Sequence, residues 1–359
     1  MQTYADPYRK YRLTGSGLED TALDNNAMEH RVERKWFSAD LPRKRLKQLM
    51  QRSDAKGLAN FGPWVILLVV SGYGAFISWG TWWAVPAFFI YGTLYTSSDA
   101  HWHECAHGTA FRSYWLNELF YHLLSFMCLR EAYLWRWSHA RHHTHTIMPG
   151  RDPEIAVPRP ARLLPLVFDL VYVFSGWFEV KRIFLHACGV VTPEAKTFVP
   201  QGELRKMFWS SRAYVAIAIA FAGWSIAIGS FLPIMFVVLP RFYGAWLHHI
   251  CALTQHCGLA EDIADHRFNT RTVYMNPVVR FYYANMNYHM EHHMFPMVPF
   301  HALPDLHEEV REQVPRAYAG LLAVYREIIP TLIRQSRDPE YFVRRQLPSV
   351  ADESLQQRI

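Results

Sequence analysis

Two long stretches of the chain contain no charged side chain. Residues 61–98 and 213–240 lack Asp, Glu, Lys and Arg, although 19% of the whole chain is charged. A helix that crosses a membrane needs roughly 20 mostly apolar residues, so the first stretch is long enough for two. Breaks at residues 80–81 and 229–233 predict two hairpins of membrane helices. The predicted spans are about 63–79, 82–98, 213–231 and 233–256.

Between the hairpins lie two shorter apolar segments, residues 114–129 and 163–184. Polar residues interrupt both, so they predict either helices lying along the bilayer or buried helices of a cytoplasmic cap. The amphipathic stretch 304–333 is expected to pack on that cap. The predicted fold is therefore an all-α membrane protein with four transmembrane helices in two hairpins and a cytoplasmic helical cap. The expected parts are a cytoplasmic N-terminal segment (1–60), a membrane domain (61–310) and a cytoplasmic C-terminal helix and tail (311–359).

Lysine and arginine indicate the orientation. The first 60 residues contain 12 of them, and the two hairpin turns contain none. Positively charged loops usually stay on the cytoplasmic side, which predicts that both termini and the segment between the hairpins are cytoplasmic. The expected location is a bacterial inner membrane.

Charge and cysteine usage exclude several classes of protein. A net charge of +6 is modest and suits a surface that faces anionic lipid or an acidic partner, so no nucleic-acid partner is expected. The five cysteines form no C-x-x-C pair. A fused rubredoxin-like, ferredoxin-like or zinc-ribbon module is therefore excluded.

Histidine is the residue type whose placement points to chemistry. The chain has 19 histidines. One H-x-x-x-H pattern and two H-x-x-H-H patterns fall on the predicted cytoplasmic side, at His103 and His107, at His139, His142 and His143, and at His289, His292 and His293. On a helix, residues at i, i+3 and i+4 share one face about 5–6 Å apart, so their imidazoles can converge on a metal ion. Eight histidines exceed what one octahedral ion accepts, which indicates two ions with positions open for dioxygen.

The three histidine boxes, in this order around two hairpins, resemble the integral-membrane fatty acid desaturase and hydroxylase superfamily. The resemblance covers roughly residues 60–310. Its most specific stretch is Asn-Met-Asn-Tyr-His-Met-Glu-His-His-Met-Phe-Pro at 285–296, and Gln-His-Cys-Gly-Leu at 255–259 is similar to the place of an additional ligand in the family. The resemblance implies a non-haem di-iron centre, held in the cap, that activates O₂ against an unactivated C–H bond. The implied iron ligands, which are also the catalytic residues, are His103, His107, His139, His142, His143, His256, His289, His292 and His293.

Ligating imidazoles usually donate their second N–H to a carboxylate or a carbonyl. Glu104 and Glu291 lie inside the boxes, and Asn269 could serve the same end, whereas Glu154 and Asp265 fit this role and that of ordinary loop residues equally well. The residues expected around the ligands are Asp99, His101, Asp152, His249 and Asn285. Asp99 ends a predicted span, where a carboxylate without a partner is costly.

Arg241 interrupts the apolar sequence of the second hairpin. It marks either a fourth span that begins late or a charge at membrane depth that faces the helix bundle. In the second case it can contact an anionic group of a substrate.

The predicted function is an O₂-dependent oxidoreductase of the membrane desaturase type, acting on a fatty-acyl or lipid-like substrate. The H-x-x-H-H form of two boxes resembles the desaturase branch more than the alkane-hydroxylase branch. Two alternatives stay open: a hydroxylase or monooxygenase, and a desaturase of a small amphipathic, amino-acid-derived metabolite, as in the rhizobitoxine-type desaturases. A ferredoxin, rubredoxin or cytochrome with its NAD(P)H reductase is the expected electron donor, since the chain has no fused redox module.

A rival from another class is a non-enzymatic membrane protein that binds zinc through the same histidines. It predicts histidines along a transmembrane pathway, whereas the boxes fall at the cytoplasmic ends of the predicted spans. Metal analysis separates the two hypotheses, because the first requires two irons and the second requires zinc.

Overall fold

The computed structural model describes residues 36–348, whose regular secondary structure is helical, with two isolated backbone bridges in place of strands. The all-α class is confirmed for this range. Residues 1–35 of the predicted N-terminal segment and residues 349–359 of the predicted tail lie outside it. The helices are α1 (Arg43–Leu49), α2 (Asp54–Ile77), α3 (Ala84–Thr96), α4 (Ser98–Ala106), α5 (Tyr114–Met127), α6 (Ala132–Thr144), α7 (Leu163–Phe168), α8 (Val173–Ala187), α9 (Ala195–Phe198), α10 (Leu204–Ala227), α11 (Leu232–Val237), α12 (Pro240–Gly244), α13 (Trp246–His256), α14 (His266–Asn269), α15 (Pro277–Tyr282), α16 (His289–Met294), α17 (Leu303–Val310) and α18 (Leu321–Gln335).

Two helices are long and apolar enough to cross a membrane. They are α2 and the stretch Gln201–Ala227, which contains α10. Ser53 accepts a hydrogen bond from the Lys56 N–H and thereby caps α2, whose surface exposes Ile66, Val69 and Val70. Apolar side chains on the outside of a long helix are what a lipid environment requires. Both helices begin about nine residues before the predicted spans 63–79 and 213–231.

The predicted span 82–98 is shorter than expected. Helix α3 has 13 residues, which is about 20 Å at 1.5 Å per residue and falls short of a hydrocarbon core of about 30 Å. After Ser97 the chain continues directly into α4, whose residues from Ser98 to Cys105 are buried. The span was predicted to reach residue 98 because no charged residue comes before Asp99. The polar helix α4 begins at Ser98, and its charged residues, Asp99 and Glu104, come after that position.

The predicted span 233–256 is not one helix but three. Proline has no N–H to donate, so Pro233 and Pro240 each start a new helix, α11 and α12, and α13 follows. Helix α12 packs closely on α3, because Gly92 and Gly244 face each other and a Cβ on Gly244 would overlap the Gly92 backbone. The four continuous spans in two hairpins are therefore not reproduced among the described residues.

The two intermediate apolar segments form helices beside these elements. Helix α5 buries Tyr121 and Leu124 and exposes Trp115 and Leu119 on its other side. Helices α7 and α8, with the short 3-10 turn Asp169–Val171 between them, form a pair bent by 75° that can count as a third membrane crossing. Exposed apolar faces of this kind favour contact with lipid over burial in a cap.

Candidate metal centre

Four helices bring nine histidines to one place. Helix α4 ends at the first box, α6 contains the second, α13 ends at His256, and the short α16 contains the third. Because α4 follows α3 directly and α13 completes the broken second hairpin, the histidines collect where both apolar regions end. The side-chain nitrogens form two groups, and within each group all nitrogens lie within 4.8 Å of one another.

The first group contains five histidines. Its Nε2 atoms approach closely, at 2.7 Å between His103 and His292 and 2.9 Å between His107 and His139. His143 lies 3.2 Å from both His139 and His292 by the same atoms. Ligand nitrogens about 2.1 Å from one ion and at right angles to each other lie about 3 Å apart. These separations therefore match donors that share an ion.

The second group contains four histidines. The His289 Nε2 atom lies 3.0 Å from Nε2 of His256 and 3.0 Å from Nε2 of His293. His142 completes the group. The groups adjoin, since the rings of His143 and His293 stack across them at 4.4 Å.

Each H-x-x-H-H box supplies both groups. In α6, His139 and His143 belong to the first group and His142 to the second. In α16 the assignment is reversed, because His289 and His293 belong to the second group and His292 to the first. Residues four apart lie almost above each other on a helix, whereas the residue at i+3 points about 60° to the side. One box can therefore serve two ions.

Hydrogen bonds hold the outer nitrogens of several of these rings. Nδ1 of His139 donates to Glu154 at 3.0 Å, and Nδ1 of His142 donates to Asp152 at 2.8 Å. Nδ1 of His256 donates to the Asn269 carbonyl at 2.8 Å. A proton fixed on Nδ1 leaves the lone pair on Nε2, which is the atom that faces the centre of each group.

The electrostatics of the cluster favour neutral imidazoles. Burial, reinforced by the neighbouring imidazoles, lowers the pKa well below the usual histidine value in most of them, including His103, His107, His143, His289, His292 and His293. For His142, burial acts in the same direction, but the charge and hydrogen bond of Asp152 outweigh it and raise the pKa. Burial would raise the pKa of Glu154, yet His139 lowers it to about 2. Neutral imidazoles held by ionised carboxylates are suitable ligands for a divalent metal ion.

Comparison with known proteins identifies the family. Residues 80–325 match the fatty acid desaturase family over more than half of the chain. The chain belongs to the fatty acid desaturase family. Relatives include a chloroplastic omega-3 fatty acid desaturase of Brassica napus, 22% identical over 71% of this chain and 67% of the relative. An sn-1 oleoyl-lipid 12-desaturase of Arthrospira platensis is 24% identical over 67% of this chain and 72% of the relative. The chain spans about two thirds of the length of such relatives.

Of the residues predicted to surround the ligands, Asp152 has the predicted contact. His101 instead bonds the Ser97 carbonyl and Asn60 and stacks on Trp64, away from both histidine groups. Asn285 donates to the Phe300 carbonyl and accepts from Arg280. Both residues contact the surrounding fold, and a role beside the ligands stays a prediction for them.

Asp99 also differs from its predicted role. It pairs with Arg241 and with Arg130, and its carboxylate lies 3.3 Å from Nε2 of His248. Its partners therefore come from α12, α13 and the turn before α6 rather than from the histidine boxes. His249, the last predicted neighbour, lines a cavity of about 320 Å³ that also borders both histidine groups.

Sequence reasoning missed two contacts of the centre and left a third open. Thr146 lies 3.2 Å from Nδ1 of His293, and the Met286 sulfur lies 3.3 Å from Nδ1 of His289. Glu154, which fitted a loop role equally well, bonds His139. A signal existed for Glu154 and Thr146, since both follow the second box closely, but neither residue type is specific for this role.

Proposed function

We propose that this member of the desaturase family is an integral-membrane oxidoreductase that binds two iron ions, one in each histidine group. We propose that it uses O₂ to desaturate an unactivated carbon–carbon bond. The observation that carries the proposal is the pair of adjoining histidine groups with buried Nε2 atoms about 3 Å apart. The donor set fits iron, because imidazole suits this metal and nine ligands leave room for other molecules at two octahedral ions.

The irons, when bound, would activate O₂ for hydrogen abstraction. The substrate would give up two electrons and two protons, an external donor would add two electrons, two more protons would come from the solvent, and O₂ would become two waters. Within the chain, Glu154 and Asp152 would keep a proton on Nδ1 of His139 and His142, so that both rings present Nε2 to the ions. The burial of the groups would keep bulk water from the reacting atoms.

The relatives named for fatty acids and oleoyl lipids support a fatty-acyl or lipid-like substrate. A second candidate is a small amphipathic metabolite, which the charged lining of the cavity beside the groups favours. Hydroxylation is the other reaction that such a centre performs. Analysis of the product distinguishes it, because a desaturated product loses two hydrogens and a hydroxylated product gains an oxygen.

We propose that α3 with α4, and α11 to α13, complete the two hairpins that α2 and α10 begin. Both termini and the metal centre would then face the cytoplasm, in a bacterial inner membrane, as the distribution of Lys and Arg predicts. The electron donor would be a separate ferredoxin, rubredoxin or cytochrome with its NAD(P)H reductase, and the membrane lipid would surround the helices.

Metal content and turnover test this function. Purified protein should contain about two irons per chain and should consume O₂ only with an added electron donor. His139→Ala, His142→Ala, His289→Ala and His292→Ala should each abolish turnover while the protein still inserts in the membrane. His186→Ala is the matched control, because His186 is fully buried in α8 but lies outside both groups and bonds Thr192. Turnover above a tenth of wild type in any two of the four variants contradicts the assignment, as does zinc without iron and without turnover.

A further inference from the structure

The cavity beside the histidine groups is lined by charged as well as apolar residues. It has a volume of about 320 Å³ and borders His103 and His139 of the first group and His142 and His289 of the second. A substrate in this cavity would lie against both proposed irons. The same cavity is lined by Arg241 and by Asp169, which have opposite charges.

Arg241 offers unused hydrogen-bond donors. Its side chain is 3% exposed and pairs with Asp99 through Nη2, while Nε and Nη1 are buried without a hydrogen-bond partner. Arg130 shares the same carboxylate at 3.1 Å, so two guanidinium groups face one acid. Tyr172 covers the guanidinium of Arg241 at 4.4 Å. Buried N–H donors without a partner are unfavourable, so these two donors favour an acceptor group that enters the cavity.

Asp169 presents the opposite charge in the same cavity. It is 6% exposed, and its two oxygens accept hydrogen bonds from the N–H and the hydroxyl of Ser175, at 2.7 and 2.6 Å. Among the described residues it forms no ion pair with Arg or Lys. Its turn packs against α12, the helix that contains Arg241. The cavity therefore holds both a carboxylate without an Arg or Lys partner among the described residues and guanidinium N–H donors without an acceptor.

Resting on the proposed desaturase function, we propose that the substrate is a small zwitterion of the amino-acid type. Its carboxylate would accept a hydrogen bond from one of the free donors of Arg241, Nη1 or Nε, and its ammonium group would face Asp169. The remaining carbon chain would then extend toward the histidine groups. This arrangement satisfies both buried charges with one molecule.

The lining of the cavity agrees with this substrate. An acyl chain in the cavity would bury the unbonded N–H donors of Arg241 and the carboxylate of Asp169 against hydrocarbon, which is unfavourable for polar groups.

Calorimetric titration of the iron-loaded, detergent-solubilised full chain tests the proposal with four probes. They are norleucine, hexanoate, hexylamine and oleate, which separate the carboxylate, the ammonium and the long chain. Norleucine should bind at least ten-fold more tightly than hexanoate or hexylamine, because only norleucine satisfies both charges. Binding of oleate without measurable binding of norleucine overturns the proposal.

Two variants test the two charged positions separately. Arg241→Lys keeps the charge but lacks the planar fork, so norleucine should bind at least ten-fold more weakly. Asp169→Asn keeps an acceptor for Ser175, and it should remove the preference of norleucine over hexanoate. Arg159→Lys is the matched control, because Arg159 is a buried arginine of the same cavity whose donors are used by Glu261, Leu259 and Pro339. Its affinity for norleucine should stay within two-fold of wild type.

Iron content and melting temperature accompany each titration and show whether a variant is folded. If Arg241→Lys does not fold, Asp169→Asn and the probe series in wild type still decide the outcome. Unchanged affinities in both variants contradict the proposal. Norleucine binding by a protein without iron supports the zwitterion site and contradicts the di-iron function. If Arg241→Lys desaturates an oleoyl lipid at the wild-type rate, this result supports the di-iron function and contradicts the zwitterion site.

Discussion

The carboxylate behind His142 provides the sharpest test of how the fold positions its ligands. One Asp152 oxygen accepts the His142 Nδ1–H at 2.8 Å and the Ile147 N–H at 2.8 Å, and the other accepts the Glu154 N–H. Asp152→Ala removes all three acceptors. His142 is then free to rotate or to carry its proton on Nε2. A proton on Nε2 would prevent this nitrogen from binding a metal ion. We expect the second histidine group to bind iron more weakly.

The expected magnitude follows from the contacts. Loss of a hydrogen-bonded residue behind a metal ligand typically lowers metal affinity 10- to 100-fold, which is about 1.4–2.7 kcal/mol. This range agrees with about 1.5–3 kcal/mol for one hydrogen bond to a charged group. Asp152→Asn should have a smaller effect. Its amide oxygen can keep the bonds to His142 and Ile147, so only the charge and the bond from the Glu154 N–H are lost.

The affinity for iron is measured as the iron retained per chain after equilibration with a graded series of chelator concentrations. Asp152→Ala should lose one iron of two at a chelator concentration 10- to 100-fold below that needed by wild type. Glu291→Ala is the control. Glu291 is also fully buried and accepts Nδ1 of His307 at 2.6 Å, but His307 belongs to neither group. The control should lower the melting temperature and leave both irons in place. Equal iron loss in both variants, or none in Asp152→Ala, would refute the reasoning.

Three further predictions concern single features. His256→Ala should retain about half of the iron and lose nearly all turnover, because one ligand of the four-membered group is removed; iron content and rate both near wild type would return His256 to a structural role. Purified protein with NAD(P)H and O₂ should be inactive until a ferredoxin-type or rubredoxin-type donor is added, measured as O₂ uptake. Burial raises the pKa of Glu131 to about 7, so its contribution to stability is full below about pH 4.5 and is lost as the pH rises through 7, by roughly 3 kcal/mol. Glu131→Gln should therefore melt at a higher temperature than wild type at pH 8 and not at pH 5, and a pH-independent difference contradicts this explanation.

The histidine boxes could be predicted from the sequence because they depend on the local spacing of histidines. Spacings of three and four residues place imidazoles on one helical face whatever the tertiary structure is. The division of each box between the two histidine groups could not be predicted from the sequence. It depends on how α6 and α16 face each other, and His143 contacts His292 across 149 positions of sequence. The ligand set could thus be predicted residue by residue, but its partition required the fold.

Sequence distance also separates the neighbours that were predicted from those that were not. Asp152 and Glu154 lie 10 and 15 residues from the histidines they bond, and closeness in sequence made Asp152 a reasonable expectation. Asp99 is closer still to the first box, four residues before His103. It pairs instead with Arg130 and Arg241, and Arg241, 142 positions away, has no local signature in the sequence. Closeness in sequence predicts a contact only when no charged residue from a distant part of the chain competes for it.

The failure of the fourth predicted span and the polar cavity have one structural origin. Hydropathy predicted a continuous helix at 233–256, but Pro233 and Pro240 divide it and place Arg241 in the five-residue helix α12. A continuous lipid-facing helix has no favourable place for a guanidinium group, whereas a broken one, packed against α3 and the Asp169 turn, can turn that group inward. Non-helical backbone at membrane depth is tolerated where it lines a cavity, and this break lines the cavity beside the metal centre. Arg241, which interrupts the apolar pattern, is therefore the residue that we expect to recognise the substrate. Arg241→Lys tests this expectation.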